Sequence, residues 1–145
     1  MSNLAGVIIG GLVPAVVFGF GAIFQKHSNN LGIGQGTYLL CFALGIGVAA
    51  LLAYALMPTG AGLSKAGAYA IGHGLLFGIG FVGLALGFNH YDQPVSRLIP
   101  LANMSTLVSV VLGLLIFREH LALNVPVLLL GSMLIVAGGV LVSLA

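Results

Sequence analysis

Charged residues are scarce in this sequence. Four Lys and Arg and two Asp and Glu make up 4% of its 145 residues, whereas soluble domains carry roughly a quarter. With 60% hydrophobic residues and a mean hydropathy of +1.23, the chain cannot cover a soluble fold with polar surface. The shortage of charge therefore excludes a separate soluble domain, and the lack of a basic tract excludes a nucleic-acid partner.

Groups that carry chemistry are equally scarce. Cys41 is the single cysteine, so no intrachain disulfide is possible. The few acidic and histidine side chains are scattered over separate loops, which is unlike a metal-binding set. The sequence contains no nucleophile beside a base. We therefore expect no enzyme, no metal and no cofactor.

What the sequence has in abundance is apolar runs of about twenty residues separated by short polar breaks, the pattern of transmembrane helices. We expect an all-α polytopic membrane protein, with residues 1–145 forming a single five-helix transmembrane domain. The predicted helices cover about 4–24, 37–57, 66–88, 98–117 and 125–145.

The loop charges divide equally between the two sides of the membrane. Lys26 and Arg97 fall in loops on one side, Lys65 and Arg118 fall on the other, and the two acids also fall one to each side. Because the excess of basic residues normally sets orientation, this balance predicts insertion in both orientations. Two opposed copies would then form an inverted repeat. Accidental cancellation among four basic residues is the alternative.

Twenty-three glycines are more than ordinary helices tolerate. Several are spaced GxxxG, which permits close packing of helix backbones in a membrane. The pairs are Gly6 and Gly10, Gly74 and Gly78, and Gly83 and Gly87. The alternative is that these glycines let a helix bend during transport.

Three prolines fall within the predicted helices. Pro14 lies in the middle of helix one, where it removes a backbone hydrogen bond and predicts a kink. Carbonyl groups freed there must be satisfied within the bundle or by a water-filled cavity. Pro100 and Pro126 are predicted in the first turns of helices four and five, where proline is tolerated.

Polar side chains within apolar helices mark a pathway or pocket by default. The candidate substrate-binding residues are Asn103, Ser105 and Thr106 in helix four, Phe18 and Gln25 in helix one, and His73 in helix three. The alternative for Ser and Thr is a bond to a carbonyl of the preceding turn. His73 is either a proton carrier or a structural histidine.

The stretch PVSRLIPLANMSTLVSVVLGLLIFREH, followed by AGGVLVS in helix five, resembles the last two helices of an EamA-like repeat of the drug/metabolite transporter superfamily. VSRLIPL followed by Glu119 resembles the glucose/ribose-uptake branch, and GFGAIFQKHS is similar to the family's first helix. Phe18 stands where many members have tryptophan. The resemblance implies two inverted five-helix repeats around a central cavity, of which this chain supplies one.

We therefore expect a secondary transporter or facilitator of a small polar metabolite, a sugar or an amino acid, working by alternating access. Its partner would be a second, antiparallel copy or a related half-transporter in the same bilayer, the inner (plasma) membrane of a prokaryote. The alternatives are a flippase for lipid-linked sugars, an exporter of lipophilic compounds, and a non-transporting membrane subunit.

Overall fold

In the computed structural model, the described residues are 3–57, 60, 64–121 and 123–145, and the chain is helical over almost all of them. Five helical segments are long and apolar enough to cross a membrane, and these ranges contain no strand. The all-α fold and the five apolar spans predicted from composition are confirmed for the described residues.

The helical elements follow one another with short connections. In chain order they are α1 (Asn3–Val7), a π-helical segment (Ile8–Leu12), α2 (Val13–Asn30), α3 (Gln35–Leu56), α4 (Lys65–Asn89), α5 (Val95–Ala102), α6 (Ser105–Ile116), a 3₁₀ turn (Glu119–Leu121) and α7 (Val125–Leu144). Helix one thus comprises α1, the π-helical segment and α2, and helix four comprises α5 and α6.

Side chains at the helix starts explain where several elements begin. The hydroxyl of Ser64 accepts a hydrogen bond from the backbone N–H of Ala66 at 3.2 Å, and Asn124 caps α7 in the same way through Val127 at 3.4 Å. Such caps satisfy N–H groups that have no partner within the helix. Pro126 occupies the first turn of α7, as predicted.

The prediction that Pro100 lies in the first turn of helix four is wrong. Pro94 is extended, with φ −72° and ψ 148°, and α5 begins at the next residue, so Pro100 lies inside the helix. The carbonyl of Pro94 accepts the N–H groups of Arg97 and Leu98, both at 3.1 Å. Because proline has no N–H, Pro100 removes the donor that would normally bond the carbonyl of Ser96.

Pro14 disturbs helix one in the turn before it. The N–H of Val13 donates to the carbonyl of Ile8, five residues earlier, which is the π-helical bond. Pro14 cannot supply the bond that the carbonyl of Gly10 would receive in a regular α-helix. The predicted disturbance is present as a π-helical segment, and a kink at Pro14 stays a prediction.

The chain forms two compact units, Met1–Asp92 and Gln93–Ala145, which we call unit 1 and unit 2. In unit 1, α4 packs against both α2 and α3. The buried side chains of α2 and α4 lie near the C-terminal ends of the two helices. In unit 2, α7 packs against both α5 and α6.

Few side chains are buried within this chain. Among the described residues, Phe88 is the large side chain that is fully buried, and α3 has no buried residue. Most of the large apolar side chains on α2, α3, α4, α6 and α7 are exposed, whereas those on α5 are partly buried. Such a surface suits lipid or other membrane helices.

Candidate functional site

Helix four is interrupted near the middle of its membrane span. The span Val95–Ile116 has 22 residues, and Asn103 and Met104 separate α5 from α6 within it. Around this break, the N–H of Met104 donates to the carbonyl of Leu101 at 3.0 Å, and the N–H of Thr106 to the carbonyl of Asn103 at 3.0 Å. Both bonds step back three residues, whereas an α-helical bond steps back four.

Three of the predicted site residues lie at this break. Asn103 ends α5, Ser105 begins α6, and Thr106 follows it. Asn103 and Ser105 are exposed and Thr106 is partly buried. Irregular backbone at membrane depth is tolerated where it is buried in protein or lines a water-filled cavity. The break thus presents an amide, two hydroxyl groups and backbone hydrogen bonds that step back three residues at one level of the span.

A close backbone contact holds the break against helix five. A Cβ placed on Gly139 would lie 2.9 Å from the carbonyl oxygen of Pro100 and 3.6 Å from Cγ of Met104. Only glycine permits this approach, because any larger residue would overlap the Pro100 carbonyl. The position of the break within unit 2 therefore depends on Gly139.

Arg97 fixes the start of helix four to the end of helix five. Its Nε donates to the carbonyl of Ser143 at 2.7 Å, and its Nη1 donates to Oε1 of Gln93 at 3.3 Å. A cation is also favourable at the C-terminal end of a helix, where carbonyl groups lack partners. Within unit 2, α7 therefore contacts helix four at two points: Arg97 joins the start of α5 to the end of α7, and Gly139 lies against the break.

The predicted site residues of unit 1 lie in different surroundings. Phe18 is 70% exposed on α2, whereas Gln25 on the same helix is buried. His73 is exposed on α4, and its ring makes an edge contact with Phe77 at 4.6 Å between centroids. His73 lies twelve residues before buried Ala85, about 18 Å along the helix axis. Unit 1 does not bring His73 to the buried end where Gln25 lies.

The polar residues that end α2 were not predicted as a group. Nζ of Lys26 donates to the carbonyl of Phe88 at 3.2 Å and lies 3.9 Å from the carboxylate of Asp92. The same ammonium lies 5.3 Å from the centroid of the Phe88 ring, within cation–π range. Asn29 is buried beyond Lys26. The four-residue spacing from Gln25 to Asn29 is the sequence signal for this face.

Most of the GxxxG glycines face open space. A Cβ placed at Gly6, Gly10, Gly74, Gly78 or Gly83 has nothing within 4 Å in the described part of the chain. Helix packing at these positions, and at Gly87, stays a prediction.

The chemistry available at the break is hydrogen bonding without charge. Among the residues that the structure describes, no group of three His, Cys, Asp or Glu side chains is placed to hold a metal ion. Asn103 offers two N–H donors and a carbonyl acceptor, and each hydroxyl group both donates and accepts. Such groups recognise polar solutes through hydrogen bonds.

Comparisons with known proteins leave the family of this chain open. No family model, no curated protein and no solved structure matches it.

Proposed function

We propose that this protein is one half of a transporter that carries a small polar solute across the inner membrane of a prokaryote. In this proposal two opposed copies, or one copy and a related partner, alternate in opening to the two sides of the membrane. The observation that carries the proposal is the break of helix four at Asn103 and Met104, near the middle of an apolar span.

The interruption of helix four supports a transport function. Polar groups in the middle of a membrane are costly unless they have hydrogen-bond partners, so polar groups found there usually mark a functional site. Solute and ion sites of many transporters are formed by interrupted helices near the membrane midplane. Here the interruption coincides with an exposed amide and an exposed hydroxyl, Asn103 and Ser105. A helix that served only to anchor the chain would not need either group.

The balance of loop charges supports the paired arrangement. Lys26 at the end of helix one and Arg97 at the start of helix four fall on one side in the predicted topology, and Lys65 at the start of helix three and Arg118 after helix four fall on the other. Both orientations then have similar insertion energies. The exposed apolar surface of the helices also leaves ample room for contact with a second copy in the bilayer. The resemblance to half of an EamA-like transporter leads to the same arrangement.

Flux and orientation can be measured in one preparation. The purified chain is reconstituted into liposomes, and the entry of labelled neutral sugars and amino acids is followed. Tags on both termini are tested for accessibility from outside. We expect saturable uptake of a polar solute and comparable labelling of each terminus. Absence of uptake, or one uniform orientation with no partner protein, would contradict the proposal. Movement of a lipid-linked sugar alone would favour the flippase alternative.

A further inference from the structure

Three amide side chains lie where α2 ends and α3 begins in unit 1. Gln25 and Asn29 are only 2% and 4% exposed. Within the described residues, four buried amide atoms have no hydrogen-bond partner: Nε2 of Gln25, Nδ2 and Oδ1 of Asn29, and Oε1 of Gln35. Buried polar groups are normally hydrogen-bonded, so this group requires an explanation.

The spacing of these residues makes their lack of partners informative. Gln25 and Asn29 are four residues apart on α2, so they share one face with Cβ atoms about 6 Å apart. Side-chain amides at this spacing are able to bond to each other, yet the two unpartnered nitrogens and the Asn29 oxygen do not. On α2 these two residues therefore offer two donor nitrogens and one acceptor oxygen without partners. Gln35 opens α3 after a four-residue turn.

The cation beside these amides already has partners. The Lys26 ammonium is hydrogen-bonded to the Phe88 carbonyl and lies 3.9 Å from the Asp92 carboxylate, which is fully exposed. The amides themselves carry no charge, so an ion entering among them would lose its hydration without a charged partner among them, at a cost in desolvation. The arrangement is suited to an uncharged ligand.

We propose that Gln25 and Asn29 form a binding site for an uncharged solute whose neighbouring groups both donate and accept hydrogen bonds, as a diol or a carboxamide does. Gln35 at the start of α3 is the next amide along the chain that has a buried atom without a partner. This site belongs to unit 1, whereas the break of helix four belongs to unit 2. This proposal rests on the proposed transport function, because it specifies the class of solute that is carried and gives that solute a second binding site.

The site is covered in this structure. Ala22 on α2 and Ala85 and Phe88 on α4 are buried at the same helix ends, and the Lys26 bond joins these ends. A solute reaches the amide atoms when the two ends separate. Amides that served only to join two membrane helices would be hydrogen-bonded across them, whereas these amide atoms have no partner. Retaining unsatisfied amides is the usual cost of a functional site.

The test uses the full chain in lipid nanodiscs and measures probe binding by saturation-transfer NMR. Propionamide and erythritol are the uncharged probes, and propionate is the charged isostere of propionamide. The variants are Gln25→Leu and Asn29→Leu, and the matched control is Asn30→Leu, because Asn30 is the neighbouring amide but is exposed. Gln25→Met and Asn29→Ala, which are no bulkier than the native residues, are measured beside the leucine variants.

We expect the native chain and Asn30→Leu to bind the uncharged probes and not propionate. Each variant at Gln25 or Asn29 should raise the dissociation constant by about tenfold or more. Without probe, the leucine variants should melt at the same temperature as the native chain or higher, since a buried unsatisfied amide has been replaced by an apolar group. That rise would not occur if the amides were structural.

Three results would overturn the proposal: equal binding of propionate and propionamide, unchanged probe binding in the variants, or a lower dimer fraction in the variants with unchanged probe binding. The last result would assign the amides to the contact between copies. The binding site and the transport function can be refuted independently. If flux required Asn103 but not Gln25 or Asn29, the site proposal would be wrong and the transport proposal would stand. If the probes bound but no flux occurred, the transport proposal would be wrong and the site proposal would stand.

Discussion

Gly139 in α7 lies so close to Pro100 in α5 that a Cβ on the glycine would stand 2.9 Å from the proline's carbonyl oxygen. A backbone oxygen cannot swing aside as a side chain can. The contact therefore sets the distance between helix five and the turn of helix four that precedes the break.

The first prediction tests this contact with adjacent glycines. Gly139→Ala should lower the free energy of unfolding by about 1–3 kcal/mol, because the added methyl group overlaps a backbone carbonyl. Gly138→Ala is the control, since a Cβ there meets nothing within 4 Å. It should leave stability unchanged or raise it by up to about 1 kcal/mol, the helix preference of alanine over glycine. Thermal unfolding in detergent measures both, and equal effects would contradict the contact.

The second prediction concerns Arg97. Replacing it with Met removes the bonds to the Ser143 carbonyl and to Gln93, and should lower the free energy of unfolding by about 1.5–3 kcal/mol. Arg97→Lys should fall between Met and the native residue, because one ammonium cannot reproduce the fork of donors. Measurement in detergent avoids any effect on orientation. If the Lys variant were as stable as the native chain, the geometry of the guanidinium would not matter.

The third prediction concerns the break of helix four. Asn103→Ala should reduce solute flux in proteoliposomes about tenfold or more, because it removes hydrogen bonds to the solute. The melting temperature should change little, since Asn103 is exposed. Asn30→Ala removes an exposed amide at the end of helix one and should leave flux unchanged. Unaltered uptake by Asn103→Ala would rule out the assigned role.

The fourth prediction follows from the charge balance. Asn30→Lys adds a basic residue to loop one, and Leu123→Lys adds one to loop four, on the opposite side. Each should drive the chain to one orientation, and the two orientations should be opposite. Terminus labelling in cells measures this. Each variant alone should lose uptake, and co-expression of both should restore it. Identical orientations for the two variants would refute the balance.

Hydropathy was sufficient to predict the five spans, because membrane helices must satisfy their backbone internally over a fixed length. It placed the end of helix one at residue 24, whereas α2 continues to Asn30. The reason is that QKHSNN is polar in composition, yet Gln25 and Asn29 are buried. Burial of polar groups depends on which helices meet, and a hydropathy profile contains no information on that.

The polar residues of helix four were predicted, but the break between them was not. Asn103, Ser105 and Thr106 were placed on a continuous helix, with Pro100 assigned to its first turn. The structure begins that helix at Val95, because Pro94 is extended and leaves its carbonyl to accept the first helical bonds. This earlier start moves Pro100 inside the helix, where it removes the donor to the Ser96 carbonyl in the turn before it. The interruption at Asn103 and Met104 lies after that turn, and the sequence pattern contained no signal for it.

The π-helical segment at Ile8–Leu12 changes which side chains of helix one share a face. Each turn of this segment holds more residues than an α-helical turn, and one additional residue corresponds to about 100° of rotation. Gly6 and Gly10 are separated by four residues, and Gly10 lies within the segment, so an ideal α-helical wheel does not give their relative azimuth. A helical wheel drawn through Pro14 without this correction assigns Phe18 to the wrong azimuth relative to the residues of α1.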